Sequence, residues 1–352
     1  MSTELIPNVG ADDLRGHVSL NRFAKQVREG RVQETMTTSD FAYMADLIDR
    51  GTKQGYLNDE VPVTYPILGR LIDSTTFEAS KDYEINAAKL VPPVAEKGEY
   101  LVADPEFTSY EFRVRKYGQQ FDISWEAWLR DQRDLRLVAD YPPSWGLAAR
   151  YSMEYYFTAA WAANSTLFTA GATTNKWAGA QFTSTNADLS AANLAEAIAH
   201  IRSFSDPASN VAPYMGPLYL VVPPNLEFTA RQIVASAKLK GDRNEPENNP
   251  MYGACTPVVN YFLPTIDTVQ GTTAWYLFCS PSLRPAVRYG FLRGYEEPEI
   301  FVKDSDARAL AGGAQDPFAG SFATDDIAFK LRFTFGTGLV DWRGAFMSTG
   351  AA

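Results

Sequence analysis

Two strand-like segments of this chain cannot bury themselves. Residues 77–90 and 109–124 both have strand character, and the second alternates cleanly: Tyr110, Phe112 and Val114 point one way, Glu111, Arg113 and Arg115 the other. Between them Val91-Pro92-Pro93-Val94-Ala95-Glu96-Lys97-Gly98 reads as a turn-rich tip. Together they predict a long hairpin, and a two-stranded hairpin is marginal in water on its own. It must lie on something else, and a neighbouring subunit is the obvious candidate.

The rest of the chain has ample material for a core. Of 352 residues 45% are hydrophobic and 13% aromatic, which excludes intrinsic disorder and suggests two or three domain-sized units or one elaborate one. The formal net charge of -10 argues against a protein that grips nucleic acid directly, because that affinity comes from clustered Lys and Arg. Arg113, Arg115 and Lys116 form the densest basic group and read as one charged strand face. Only Cys255 and Cys279 occur, so no disulfide framework is expected, and buried thiols in a reducing cytosol are the default. Residues 1–10 lack the pattern of a signal peptide, and no run of about 20 apolar residues predicts a membrane span.

Residues 11–30 form a short amphipathic helix candidate within an N-terminal arm. A second helix begins at a Ser39/Asp40 cap and ends at Gly51 and Gly55. Residues 61–70, with Pro62 and Pro66, read as an extended connector. Pro142 and Pro143 precede a spine helix over 144–163, about 30 Å long at ~1.5 Å per residue. After a loop over 166–186, short helices and strands alternate. Ser190 caps one helix, 218–222 is a buried strand, and Asn225 caps another helix through Val234. A polar insertion at 238–249 precedes strands at 275–279, 286–292 and 299–302. Finally Ile327, Phe329, Leu331, Phe333 and Phe335 alternate with smaller or polar residues. Gly336-Thr337-Gly338 then predicts a bend, and 339–347 a returning strand. The fold class is α+β.

Catalytic signatures do not appear. His17 and His200 stand apart from each other and from any metal-ligand spacing, and the sequence has neither a nucleophile elbow nor a phosphate loop. The acidic pairs Glu296-Glu297, Asp304 with Asp306, and Asp325-Asp326 read as solvated turns, with an adventitious divalent cation at Asp304 and Asp306 as the alternative. No cofactor and no enzyme activity are expected. The chain does have 7 Trp, 18 Tyr and 21 Phe, the residue types that fill either cores or subunit interfaces.

Three segments resemble a known family. Lys116-Tyr117-Gly118 with Phe121-Asp122-Ile123-Ser124 ahead of the spine is similar to the Mu-like prophage major head subunits. So are Val222-Pro223-Pro224-Asn225-Leu226-Glu227-Phe228-Thr229-Ala230-Arg231-Gln232 and the ending Phe335-Gly336-Thr337-Gly338-Leu339-Val340-Asp341-Trp342-Arg343-Gly344. The order of parts resembles the major capsid protein of tailed bacteriophages, with the Hong Kong 97-type fold. That resemblance implies an N-terminal arm (1–38), a peripheral domain (39–70 with 125–185 and 321–352), an extended hairpin loop (71–124) and an axial domain (186–320).

It further implies self-assembly as hexamers and pentamers into an icosahedral shell around double-stranded DNA, held without sequence-specific contacts. Separate scaffolding and portal proteins and a decoration protein would be its partners, with assembly in the host bacterial cytoplasm, a virion location and no membrane. The subunit-interface residues it implies are Pro92, Pro93, Glu96, Lys97, Tyr110, Phe112, Arg113, Arg115, Trp342 and Arg343. Some relatives cross-link a hairpin Lys to an Asn near the end of the peripheral domain. Lys97 could fill the first role, but no Asn follows Asn260, so no isopeptide bond is expected. An encapsulin-like nanocompartment shell is the alternative function.

Overall fold

The computed structural model describes residues 48–58, 60–85, 91, 93–94, 96–100, 102, 107–124, 126, 137–168, 175–177, 188–204, 214–240, 246–303, 305–306 and 321–350. The expected arm, its helix over 11–30 and the Ser39/Asp40 cap lie outside them. In chain order the elements are α1 (48–56), α2 (Tyr65–Leu68), β1 (Gly69–Ser74), β2 (Ser80–Ile85), β3 (Phe107–Ser124), α3 (Leu137–Trp161) and α4 (Ala191–Ser203). There follow β4 (Leu218–Val222), α5 (Glu227–Ala235), β5 (Lys238–Lys240), β6 (Pro246–Asn248), β7 (Thr256–Val259), α6 (Leu263–Ile266) and β8 (Trp275–Cys279). The last are β9 (Val287–Leu292), β10 (Glu299–Val302), β11 (Asp326–Leu339) and β12 (Ala345–Ser348).

Two compact units result, each made of three separated stretches. The smaller comprises Met1–Leu57, Gly118–Leu147 and Pro298–Arg332, and the larger Asn58–Tyr117, Ala148–Glu297 and Phe333–Ala352.

In the smaller unit α1 runs through Gly51 and Gly55 instead of stopping at them. The spine helix α3 also begins before its prolines and holds Pro142 and Pro143 inside. An interior proline removes a ladder N–H and costs about 3 kcal/mol in a typical helix. The glycines of α1 make room for these rings. A Cβ on Gly51 would lie 3.4 Å from Pro143 Cδ, and one on Gly55 only 2.0 Å from the Pro143 carbonyl oxygen. Gly146 makes the reciprocal approach, a Cβ there falling 2.0 Å from the Thr52 carbonyl oxygen. What the sequence suggests as a helix stop is the crossing point of two helices. Phe121 of β3 closes this unit's aromatic cluster, stacked on Tyr141 at 4.5 Å and edge-on to the buried Trp145 at 6.0 Å between centroids. Strand β10 pairs antiparallel with the start of β11, and Arg332 there both bonds Glu299 and covers the Phe301 ring at 4.4 Å.

In the larger unit one sheet has the order β1-β9-β11-β3-β2, with β1 parallel to β9 and β2 antiparallel to β3. Strand β11 does not bend at Gly336-Thr337-Gly338 but continues through it to Leu339. The glycines are needed because β3 comes close: a Cβ on Gly336 would meet the Arg113 carbonyl oxygen at 2.6 Å, and one on Gly338 the Glu111 carbonyl oxygen at 3.0 Å. Nor does the chain return along β11. A 3-10 turn over Trp342–Gly344, capped by the Asp341 side chain, redirects it so that β12 joins a second sheet of order β12-β8-β4-β7.

Helices α4 and α5 cover that second sheet, burying Leu194, Ile201, Leu220, Val222, Trp275, Leu277 and Phe346 in one core. Ser190 caps α4 by accepting from Asn193 N, as expected. Asn225 does not cap α5, because Pro224–Leu226 forms a 3-10 turn and the cap position falls on Leu226, which has no acceptor. The polar insertion contains a two-stranded ribbon, β5 with β6. Trp161, fully buried at the end of α3, meets Tyr276 and Phe278 of β8 edge-on at 5.0 Å.

The helix crossing makes a clear prediction. Gly146→Ala favours the isolated helix by about 1 kcal/mol, yet it should lower stability by about 1–3 kcal/mol through overpacking. A urea midpoint equal to or above that of the parent would contradict the close approach.

Candidate functional site

A buried carboxylate holds the larger unit together where the hairpin segment begins. Glu154 of α3 is 3% exposed. Its Oε2 accepts from Thr64 N at 2.7 Å and Tyr65 N at 3.2 Å, so it caps the first turn of α2 from a distant helix. Its Oε1 accepts from the Thr64 hydroxyl and, at 3.0 Å, from Asn260 Nδ2. Asn260 also donates to Thr158 Oγ1 at 2.7 Å, and its Oδ1 accepts from Phe262 N at 2.9 Å. Burial pushes the Glu154 carboxyl above its ordinary value, and the hydrogen bonds from Thr64, Tyr65 and Thr158 oppose that rise. With donors on both oxygens, this carboxylate acts as a structural cap. Beside it lies a cavity of about 300 Å³ lined by Glu60, Val61, Pro62, Tyr151, Val259, Tyr261 and Phe262 among others.

The other reactive types are equally committed. Cys255 and Cys279 are buried, and burial pushes both thiols up to about 12. Tyr214, also pushed up to about 12 by burial, donates to Pro217 O at 2.6 Å and accepts from Ser280 N at 2.7 Å. His200 lies edge-on to Phe204 and Phe346. Among the described residues no group of three or more His, Cys, Asp or Glu could hold a metal ion.

What the chain does present is uncovered apolar surface along the hairpin. Val91 is 93% exposed, Val102 88%, Tyr100 85% and Tyr83 62%. Side chains of this kind at such exposure mark a surface for another macromolecule when they cluster.

The residues that the sequence suggests for an interface fall into two groups. Pro93, Glu96, Lys97, Arg113 and Arg115 are exposed, and Lys97 adopts the left-handed backbone (φ 61) in the tip turn. Arg113 Nε donates to Phe77 O at 3.1 Å, tying the strand to the segment before β2. Pro92 lies outside the described residues. Phe112, at 3% exposure, is part of the chain's own interior. Arg343 is likewise buried, paired with Asp341 at 2.7 Å, and the half-buried Trp342 lies edge-on to Phe204 at 5.2 Å. Tyr110 and Phe112 share one sheet face, whereas Trp342 and Arg343 belong to the turn before β12. Sequence reasoning missed Glu154 and Asn260. Neither has a local signal, because their partners lie 90 and 106 residues from Glu154 along the chain.

The family model described as phage capsid protein matches residues 108–348. No curated protein matches the chain. Among solved structures, the capsid of the cyanophage P-SCSP1u is 12% identical, with 83% of this chain and 88% of that chain covered at a TM-score of 0.50. A chain of Mycobacterium phage Ogopogo is 13% identical over 82% of this chain and 91% of that one at 0.45. The capsid of a native GTA particle is 11% identical over 82% and 90% at 0.47.

The Glu154 cap predicts a pH effect of definite sign. A carboxyl with a raised folded-state pKa contributes stability that is fully present below its ordinary 4.5 and is lost as pH rises through the folded value. Glu154→Gln should therefore flatten the fall in stability above pH 4.5, measured by urea unfolding across the acidic to neutral range. Glu154→Ala, which strands several buried donors, should cost about 3 kcal/mol or more at any pH.

Proposed function

The chain belongs to the phage capsid protein family and is a shell protein with the Hong Kong 97-type fold, and from that premise we propose how the shell is made. Copies join as hexamers and pentamers into an icosahedral shell that encloses the double-stranded DNA of a tailed bacteriophage. Its place within the family is nearest the Mu-like prophage head subunits, on the strength of the three sequence segments. The proposed layout keeps an N-terminal arm, an interlaced peripheral domain, an axial domain over 186–320 and the hairpin over 71–124.

One observation supports this reading above the others: the hairpin segment carries Val91, Tyr100 and Val102, each strongly exposed and left uncovered among the described residues. Apolar side chains so placed gain about 25 cal/mol for each Å² of area that a neighbour removes from water. The hairpin lies across the adjacent subunit, and each copy makes several modest contacts of this kind. The exposed Pro93, Glu96, Lys97, Arg113 and Arg115 belong to that contact. Phe112 and Arg343 support it from within. The net charge of -10 suits a container wall, since a surface that bound phosphate tightly would hinder DNA entry and exit. Assembly takes place in the host cytoplasm with separate scaffolding and portal proteins. The family match favours this capsid role over a nanocompartment shell.

Expressed alone and imaged by negative-stain microscopy, the chain should give closed shells or capsomers, and a uniform monomer with none would refute the reading. Val91→Asp and Val102→Asp should leave the unfolding free energy within about 0.5 kcal/mol of the parent while abolishing shells. Denaturing gels of mature particles should show monomer without a ladder of multiples.

A further inference from the structure

We infer that Arg288 is the positioning residue of the hairpin, reaching across the larger unit's sheet to fix the direction in which β2 leaves it. The register places the participants on one face, since residues directly opposite each other share a side. Arg288 is opposite Gly338, Gly290 is opposite Gly336, and Asp82 is opposite Tyr110, with Phe112 two residues further along β3. Glycine at 290, 336 and 338 leaves that face without side chains over two adjacent strands. The Phe112 ring fills part of the trough, so a Cβ on Gly290 would lie 3.0 Å from Phe112 Cζ and one on Gly338 3.3 Å from Phe112 Cδ2.

Arg288 uses the rest. Its side chain is 4% exposed, it passes Tyr110 with the guanidinium 5.9 Å from the ring centroid, and it ends in an ion pair with Asp82. In the strand order β9-β11-β3-β2 that is three strand spacings, about 14 Å at ~4.8 Å each, nearly the combined reach of an extended arginine and an aspartate. A side chain on Gly338 would stand in the path. The pair is charge-assisted and buried at its arginine end, conditions under which such a bond is strong. It therefore pins the middle of β2 to the body of the sheet, just before the exposed tip residues, and so presents them in one orientation.

The inference rests on the reading that the hairpin makes a subunit contact, and the test separates the two. Hydrogen exchange is measured on the unassembled full chain for the parent, Asp82→Asn and Asp82→Glu, with shell yield scored in parallel. Asp82 is half-exposed, and the exchange rates of β4 and β8 report whether the fold survives either change. In Asp82→Asn the amides of β2 should exchange about fivefold faster or more while those of β4 and β8 keep their rates. Asp82→Glu, which retains the charge, should stay within about twofold of the parent. Shell yield should fall in the first variant and hold in the second. Unchanged β2 exchange in Asp82→Asn, or equal acceleration in β4 and β8, overturns the positioning role. A parent that forms no shells refutes the capsid reading and leaves the exchange result to decide this one.

Discussion

A single carboxylate organises the larger unit. Glu154 gathers the first turn of α2, the Thr64 hydroxyl and Asn260 around one buried point, joining segments far apart in sequence. Removing a carboxylate from water is costly, and the donors gathered around it offset that cost in part, leaving the carboxyl above its ordinary value. Everything that positions the hairpin is downstream of that cap. Helix α2 leads directly into β1, β1 pairs with β9 from Gly69↔Val287 to Ser74↔Leu292, and β9 supplies Arg288. The order of these contacts makes the hairpin's orientation a property of the core.

Glycines do the complementary work of letting backbones meet. In the smaller unit Gly55 and Gly146 allow two helices to cross at carbonyl contact, which also gives the interior prolines of α3 a place to sit. In the larger unit Gly336 and Gly338 admit β3 against β11. Each is a case where a side chain would cost more than the backbone entropy that glycine sacrifices.

These same glycines mark where the sequence stops being legible. Period-two alternation in β3 and β11 announces the strands and their two-faced character, and the Ser190 cap, the strands 218–222, 275–279 and 299–302 and the polar face of Arg113 and Arg115 are readable from equally local pattern. They depend on local periodicity or a local hydrogen bond, which distant neighbours do not change. Gly51 as a stop, Gly336 to Gly338 as a bend, Pro142 as a helix start and Asn225 as a cap all failed because the meaning of those residues is set by what packs against them. The candidate contact surface divides the same way. Alternation correctly makes Phe112 the partner of Val114 on one face, but only the glycine trough across the sheet shows that this face is internal. Glu154 and Asn260 were invisible, since a Glu in a helix and an Asn in a loop are ordinary until both ends of the bond are known.

The two cysteines have a practical corollary. Both lie in the interior with thiols pushed up to about 12, so at neutral pH neither offers a thiolate to an alkylating or oxidising reagent. The folded chain should therefore react with maleimide far more slowly than a free thiol does. A cysteine introduced at a solvent-facing hairpin position would be its one addressable handle, able to carry a fluorophore or spin label at a single defined point per subunit.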